Sequence, residues 1–266
     1  MIQCNQIIAI FIRHFLLHMR AIDRILDVTF WPNVDVLLFG FTGVWMQQEL
    51  AGSISSNTAF IPLMGALLWQ ITMRSNVDLS LGLLEELWGN NFANIFITPL
   101  CFTEWVLGLM LLGLVRIFFM LFFCSLTVWL MYDFSILMLG WHLLPVFFSL
   151  LISGWMLGCF TCSLLVTWGR RIGIFAWVTS WVVAPFCGVF YPVDVLPAWM
   201  QFVGNLLPMT YVFSAIHQYI YTGVFPLTLI YKSFALNSFY FIVMILLFKY
   251  SFERAKRFGL TRLEQS

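Results

Sequence analysis

The stretch VAPFCGVFYPVDVLPAWMQFVGNLLPMTY, Val183 to Tyr211, decides how the chain folds. It is apolar enough for a bilayer, yet it carries Pro185, Gly188, Pro192, Pro197, Gly204 and Pro208. Each proline removes a backbone donor and clashes with the preceding turn, so one straight helix cannot hold them all. Lipid gives the freed carbonyls no partner, and such backbone must be buried in protein or line a cavity. The expectation is a helix ending near Pro185, a turn at Gly188 to Pro192, and two short helices that dip into the bilayer and return. Pro197 falls where the first turn of the second short helix begins. Phe186, Val189, Phe190, Leu196, Trp199, Met200, Phe202 and Val203 are too apolar for a solvated loop.

The composition sets the surroundings of that stretch. Of 266 residues, 62% are hydrophobic, 18% aromatic and only 9% charged. A soluble domain is about half apolar and about a quarter charged. The chain therefore reads as an all-α integral membrane protein. A net charge of +1 gives no reason to expect a nucleic-acid partner. Cys159 and Cys162 stand at helical spacing with no histidine or carboxylate beside them, which suits packing better than metal binding. No metal site is expected.

Working outward, residues 1–30 read as an amphipathic helix lying in the interface. Ile8, Phe11, Ile12, Phe15, Met19, Ile22 and Leu26 form its stripe, with Arg13, Arg20, Asp23, Arg24 and Asp27 between them. The patch is cut by Arg13, His14, His18 and Arg20, unlike a cleavable leader. Residues 31–253 hold the spans, starting with Val34–Leu50 and Thr58–Met73. Arg74 to Ile97 is polar and patterned, and predicts a short helix at about 78–96 lying on the membrane surface. Thr103–Met131 reads as one long helix. It places Arg116 roughly 20 Å along the axis from Thr103. An arginine at mid-membrane costs about 3 kcal/mol on insertion scales, so it must face the bundle or water. It is a functional charge, half of a pair with a carboxylate such as Glu49 or Glu104, or a snorkelling side chain. Trp141–Trp168 follows, with Gly154 and Gly158 as a close-packing face. Ile172–Ala184 leads into the broken stretch, whose re-entrant helices occupy about 187–209. A last span runs from Tyr231 or Lys232 to Tyr250, before a basic tail at 254–266. Arginines and lysines crowd one face of this topology, which is then cytoplasmic. Six spans with both termini inside follow.

Two stretches resemble one family. LGLLEELWGNNFANIFITPLCFTEWVLGLMLLGLVR, Leu81 to Arg116, is similar to the coupling-helix region of type-2 ABC exporter permeases, with its L-E-E-x-W-x-x-N core and P-L-x-x-x-E-W continuation. GVFYPVDVLPAWMQFVGNLLPMTY resembles the paired re-entrant helices of the same family, and the chain looks most like the small bacterial half-permeases. The resemblance implies a subunit of the bacterial inner membrane that is not itself an enzyme. Two copies would pair, each with a cytosolic ATPase that holds ATP and Mg. Glu85, Glu86, Leu87, Trp88, Asn90 and Asn91 would contact that ATPase. Gly188, Phe190, Pro192, Leu196, Pro197, Trp199 and Pro208 would cap the outer end of the pathway. Arg116 and Glu104 are the candidate charges within the membrane. The cargo implied is amphipathic: a lipid-linked saccharide, a lipid or a hydrophobic drug. The chain lacks a G-x-x-x-x-G-K-[ST] phosphate loop of its own. It departs from the family at Cys187, where serine is common, and at Ser214 and His217, where a glutamate and an arginine are common. An integral membrane transferase acting on lipid intermediates, and a passive channel or scramblase, are the alternative classes.

Overall fold

A computed structural model describes residues 4–20, 22–49, 61–89, 91, 100–133 and 136–258, and among these every regular element is helical. The helices are α1 (Cys4–Met19), α2 (Ile22–Glu49), α3 (Ile61–Trp88), α4 (Phe102–Tyr132), α5 (Leu143–Trp168), α6 (Phe175–Val183), α7 (Ala198–Asn205), α8 (Pro208–Thr222) and α9 (Leu227–Phe258). Four helical segments, Arg24–Glu49, Phe102–Tyr132, Leu139–Ile172 and Leu227–Arg257, are long and apolar enough to cross a membrane. The chain is accordingly a helical protein of membrane-spanning character. At 31 residues α4 is roughly 46 Å long, more than the ~30 Å hydrocarbon core needs. It exposes Phe118, Phe119, Phe122 and Trp129 on one side.

Three boundaries differ from the sequence expectation. The N-terminal helix does not run to residue 30: it ends at Met19, and Ile22 and Leu26 belong to the first turns of the first long helix instead. No separate helix begins near residue 78. α3 continues from Ile61 through Arg74 to Trp88 without a break, burying Arg74, Asn76, Asp78 and Glu86. The polarity that argued for a surface helix is satisfied inside the bundle by partners from other helices. The last helix starts at Leu227, before Tyr231. α3 carries too many polar groups, and α6 too few residues, to stand among the four long apolar segments.

α3 and α5 form the centre. Gly154 and Gly158 of α5 lie against Thr72, Ser75, Asn76 and Leu79 of α3, the close approach that their spacing predicts. The Asn76 amide fastens three helices. It donates to the Ala176 carbonyl at 3.1 Å and to Ser180 Oγ at 2.9 Å, and accepts from Thr161 at 3.1 Å. Asn237 does the same for α5 and α9, donating to the Ser149 carbonyl and accepting from Ser153 Oγ at 2.8 Å. Buried amides of this kind are stable only because each polar atom has a partner.

The stretch 183–211 is broken, as its prolines require. α6 ends at Val183 and a turn of helix follows over Ala184–Phe186. Gly188 takes a left-handed φ of 66°, which glycine adopts without strain. A short turn at Val193–Val195 leads to α7 and then α8, with Pro197 just before α7 and Pro208 at the start of α8. The carbonyls that the breaks release find side-chain donors. Tyr191 Oη reaches Pro185 O at 3.0 Å, Gln201 reaches Leu196 O at 2.8 Å, Thr210 reaches Gly204 O at 2.6 Å and Tyr211 reaches Asn205 O at 2.8 Å. The turn presses into the bundle. A Cβ on Gly65 of α3 would stand 1.9 Å from the Val189 carbonyl, so only glycine admits the contact. Phe190 stacks on Phe39 of α2 with ring centres 4.5 Å apart.

Candidate functional site

Three helices carry chemistry-bearing residues at four-residue spacing, which puts each set on one helix face. On α2 these are Asp27, Trp31 and Asp35; on α3, Gln70, Arg74 and Asp78; on α6, Trp177 and Trp181. All but Asp78 line a cleft of about 240 Å³, together with Pro32, Met73 and Val77. A second cavity of about 340 Å³ adjoins it toward Glu85 and Trp88 and is lined also by His18, Arg24 and Arg116. Asp27, Arg74 and Trp177 belong to both walls.

The charges form a connected set. Arg74 donates to Asp27 at 2.8 Å, and its Nε lies 3.1 Å from Asp78. Arg116 donates to Asp78 at 3.0 Å and to His18 Nδ1 at 3.0 Å. An arginine can only donate, so Nδ1 of His18 is the accepting nitrogen of a neutral ring. Burial, reinforced by the Arg116 guanidinium, lowers the His18 pKa to about 4. Gln70 donates to Asp35 at 2.7 Å, deeper in the cleft.

The partner of Arg116 is therefore neither Glu49 nor Glu104. Asp78 lies within reach because α3 continues straight past α4. Glu104 is buried and caps its own helix, accepting from the Cys101 N–H at 2.8 Å.

The residues expected at a partner contact divide. Leu87 is buried, and Glu86 is only 4% exposed. Glu86 is held by Arg13 at 3.0 Å and by Asn91 at 3.1 Å, with His14 Nε2 at 3.3 Å. Glu85 pairs with Arg24 at 3.1 Å. Trp88 stays half exposed at the end of α3. Asn90 lies outside the described residues. So α1, which packs on α4 through Ile10 and Gly108, is tied to the end of α3 by the Arg13–Glu86 pair with His14 beside it.

Of the outer set, Gly188 and Pro208 are buried, Phe190 and Leu196 are half-buried, and Trp199 is 63% exposed. Pro192 precedes the Val193–Val195 turn. His217 is buried, and its Nε2 has no partner among the described residues. His142 stacks on Phe225 with ring centres 4.2 Å apart, and Asp133 ends α4 with a left-handed φ of 50°. Among the described residues no group of histidine, cysteine and carboxylate side chains could hold a metal ion.

The cleft escaped the sequence reading because its members lie on three separate helices. The available signal was the four-residue recurrence of polar or tryptophan positions within apolar runs. Compared with known proteins, the chain matches no family model and no curated protein.

Proposed function

We propose that the chain is the membrane-spanning half of a bacterial ATP-driven exporter of the type-2 ABC class. It moves an amphipathic cargo across the inner membrane and draws ATP hydrolysis, with Mg, from a separate cytosolic subunit. The single observation that carries this reading is the broken stretch 183–211. An apolar segment stops at Val183, turns over Gly188 against Gly65, and returns through α7 and α8 with its freed carbonyls met by side chains. That build supports a pair of re-entrant helices at one membrane face, because irregular backbone at such depth needs internal partners. In this reading α2, α3, α4, α5, α6 together with its flanking helical turns (169–186), and α9 are six spans with both termini cytoplasmic, and the end of α3 meets the ATPase.

Uncovered surface supports the pairing of two copies. Only 17% of the apolar window in α9 is buried within the chain, against 61% for α5. Lipid and a second copy share that face.

The test is purification of the tagged chain from membranes of its source cell, with the co-purifying material assayed for a cytosolic ATPase subunit and for ATP hydrolysis. A stable complex with ATP hydrolysis is expected. Trp88→Ala, which removes the exposed indole, should weaken assembly or uncouple hydrolysis. Glu86→Ala should do so less directly, by freeing α1 from α3. Full assembly and unchanged coupled hydrolysis in both variants would remove the end of α3 from the contact. ATP-independent flux or transferase activity from the chain alone would move it to another class.

A further inference from the structure

We infer that the cleft between α2, α3 and α6 recognises the cargo of the permease proposed above, and that this cargo is an organic cation on an apolar body. The inference rests on that reading for the word cargo, but the binding site stands on its own geometry.

The charges decide the ligand's sign. Asp27, Asp35 and Arg74 are the ionisable groups on the cleft wall. Asp27 and Arg74 answer one another at 2.8 Å, and Arg74 is further occupied by Asp78 at 3.1 Å. Asp35 has no cation within ion-pair distance among the described residues; its partner is the neutral Gln70 amide at 2.7 Å. A carboxylate in apolar surroundings is costly without a counterion. An arriving cation would supply one.

The walls agree with that choice. Trp31, Trp177 and Trp181 contribute three indoles to the cleft, and Met73, Pro32 and Val77 supply apolar surface. Indole faces are the best aromatic partners for a cation. Trp31 and Trp181 are 64% and 46% exposed, so they stand at the open rim, where the ligand's apolar body would leave the cleft. An anionic headgroup would meet Asp35 as a like charge. A neutral sugar wants a ring of donors and acceptors, yet away from the Asp27–Arg74 pair the wall offers Asp35 and Gln70, already bonded to one another, and indole N–H groups that can only donate. The volume, about 240 Å³, suits one cationic group and its near substituents, not an oligosaccharide.

The probe is radiolabelled tetraphenylphosphonium, with the full chain in phosphatidylcholine nanodiscs and empty discs as background. Saturable binding above background is expected. Asp35→Asn should weaken it at least about tenfold, the equivalent of one lost charge contact. Asp35→Glu should keep it within about threefold, and Trp181→Ala, on the exposed rim, should cost about fivefold through lost cation–π contact. Octyl glucoside should not displace the probe. Binding no greater than to empty discs, equal binding by Asp35→Asn, or displacement by octyl glucoside would each overturn the inference. The measurement needs no ATPase. A chain that recruits an ATPase but shows no such binding loses the cation and keeps the permease reading; one that binds the probe but recruits no ATPase does the reverse.

Discussion

Asp78→Asn removes the charge that the central ion pairs share. The side chain is 2% exposed and faces Arg74 Nε at 3.1 Å and Arg116 Nη1 at 3.0 Å. Without the carboxylate, Arg74 keeps Asp27, whose side chain is 40% exposed, while Arg116 keeps only the neutral His18 ring. Breaking a buried pair from one side costs about 3–5 kcal/mol, because the other charge is left uncompensated. At about 2.1 cal/mol/K of unfolding entropy per residue, that corresponds to a fall in Tm of roughly 5–9 °C for this chain. Thermal unfolding in nanodiscs, followed by tryptophan fluorescence, measures it. The double variant Asp78→Asn with Arg116→Met removes the stranded charge and should regain about 2 kcal/mol or more over the single variant. A single variant within about 2 °C of the parent, or a double variant no better than the single, would refute the shared buried pairing.

Two further outcomes are expected. Gly65→Ala puts a methyl where the Val189 carbonyl stands 1.9 Å away, so the turn must leave α3; a loss of about 3 kcal/mol, the upper end of overpacking, should appear in the same unfolding assay. His18, held at about 4 against an ordinary 6.5, contributes stability that is fully present above pH 6.5 and lost as pH falls toward 4. The loss is on the order of 3 kcal/mol, since each pKa unit is 1.36 kcal/mol. His18→Gln should flatten the Tm profile between those values, and an unchanged profile would exclude the histidine as its source.

Much of the fold was legible in the residues. The prolines of 183–211 required a broken path, and the structure breaks at Val183, Gly188 and Pro197. The run from Phe102 to Tyr132 is one helix, the reading that kept the arginines and lysines of the later loops on one face. Gly154 and Gly158 marked a close helix contact, though not the helix on the other side of it. Misreadings fell where polarity was taken for exposure. Arg74, Asp78 and Glu86 looked like surface residues, yet each is buried against a charge from a distant segment: Asp27, Arg116 and Arg13 lie 47, 38 and 73 residues away from them.

The order of residues by itself determined the class of solvent and the places where a helix cannot continue, because both depend on local composition and on the backbone of proline and glycine. Only the tertiary structure decided which charges neutralise one another, that α1 is fastened to the end of α3, and that Asp35 shares a cleft with three indoles and has no counterion among the described residues. Those facts depend on which helix faces meet, and pairing across a bundle has no local sequence signal. A residue's own neighbours specify its helix, while its energetic partner is set by packing over the whole chain.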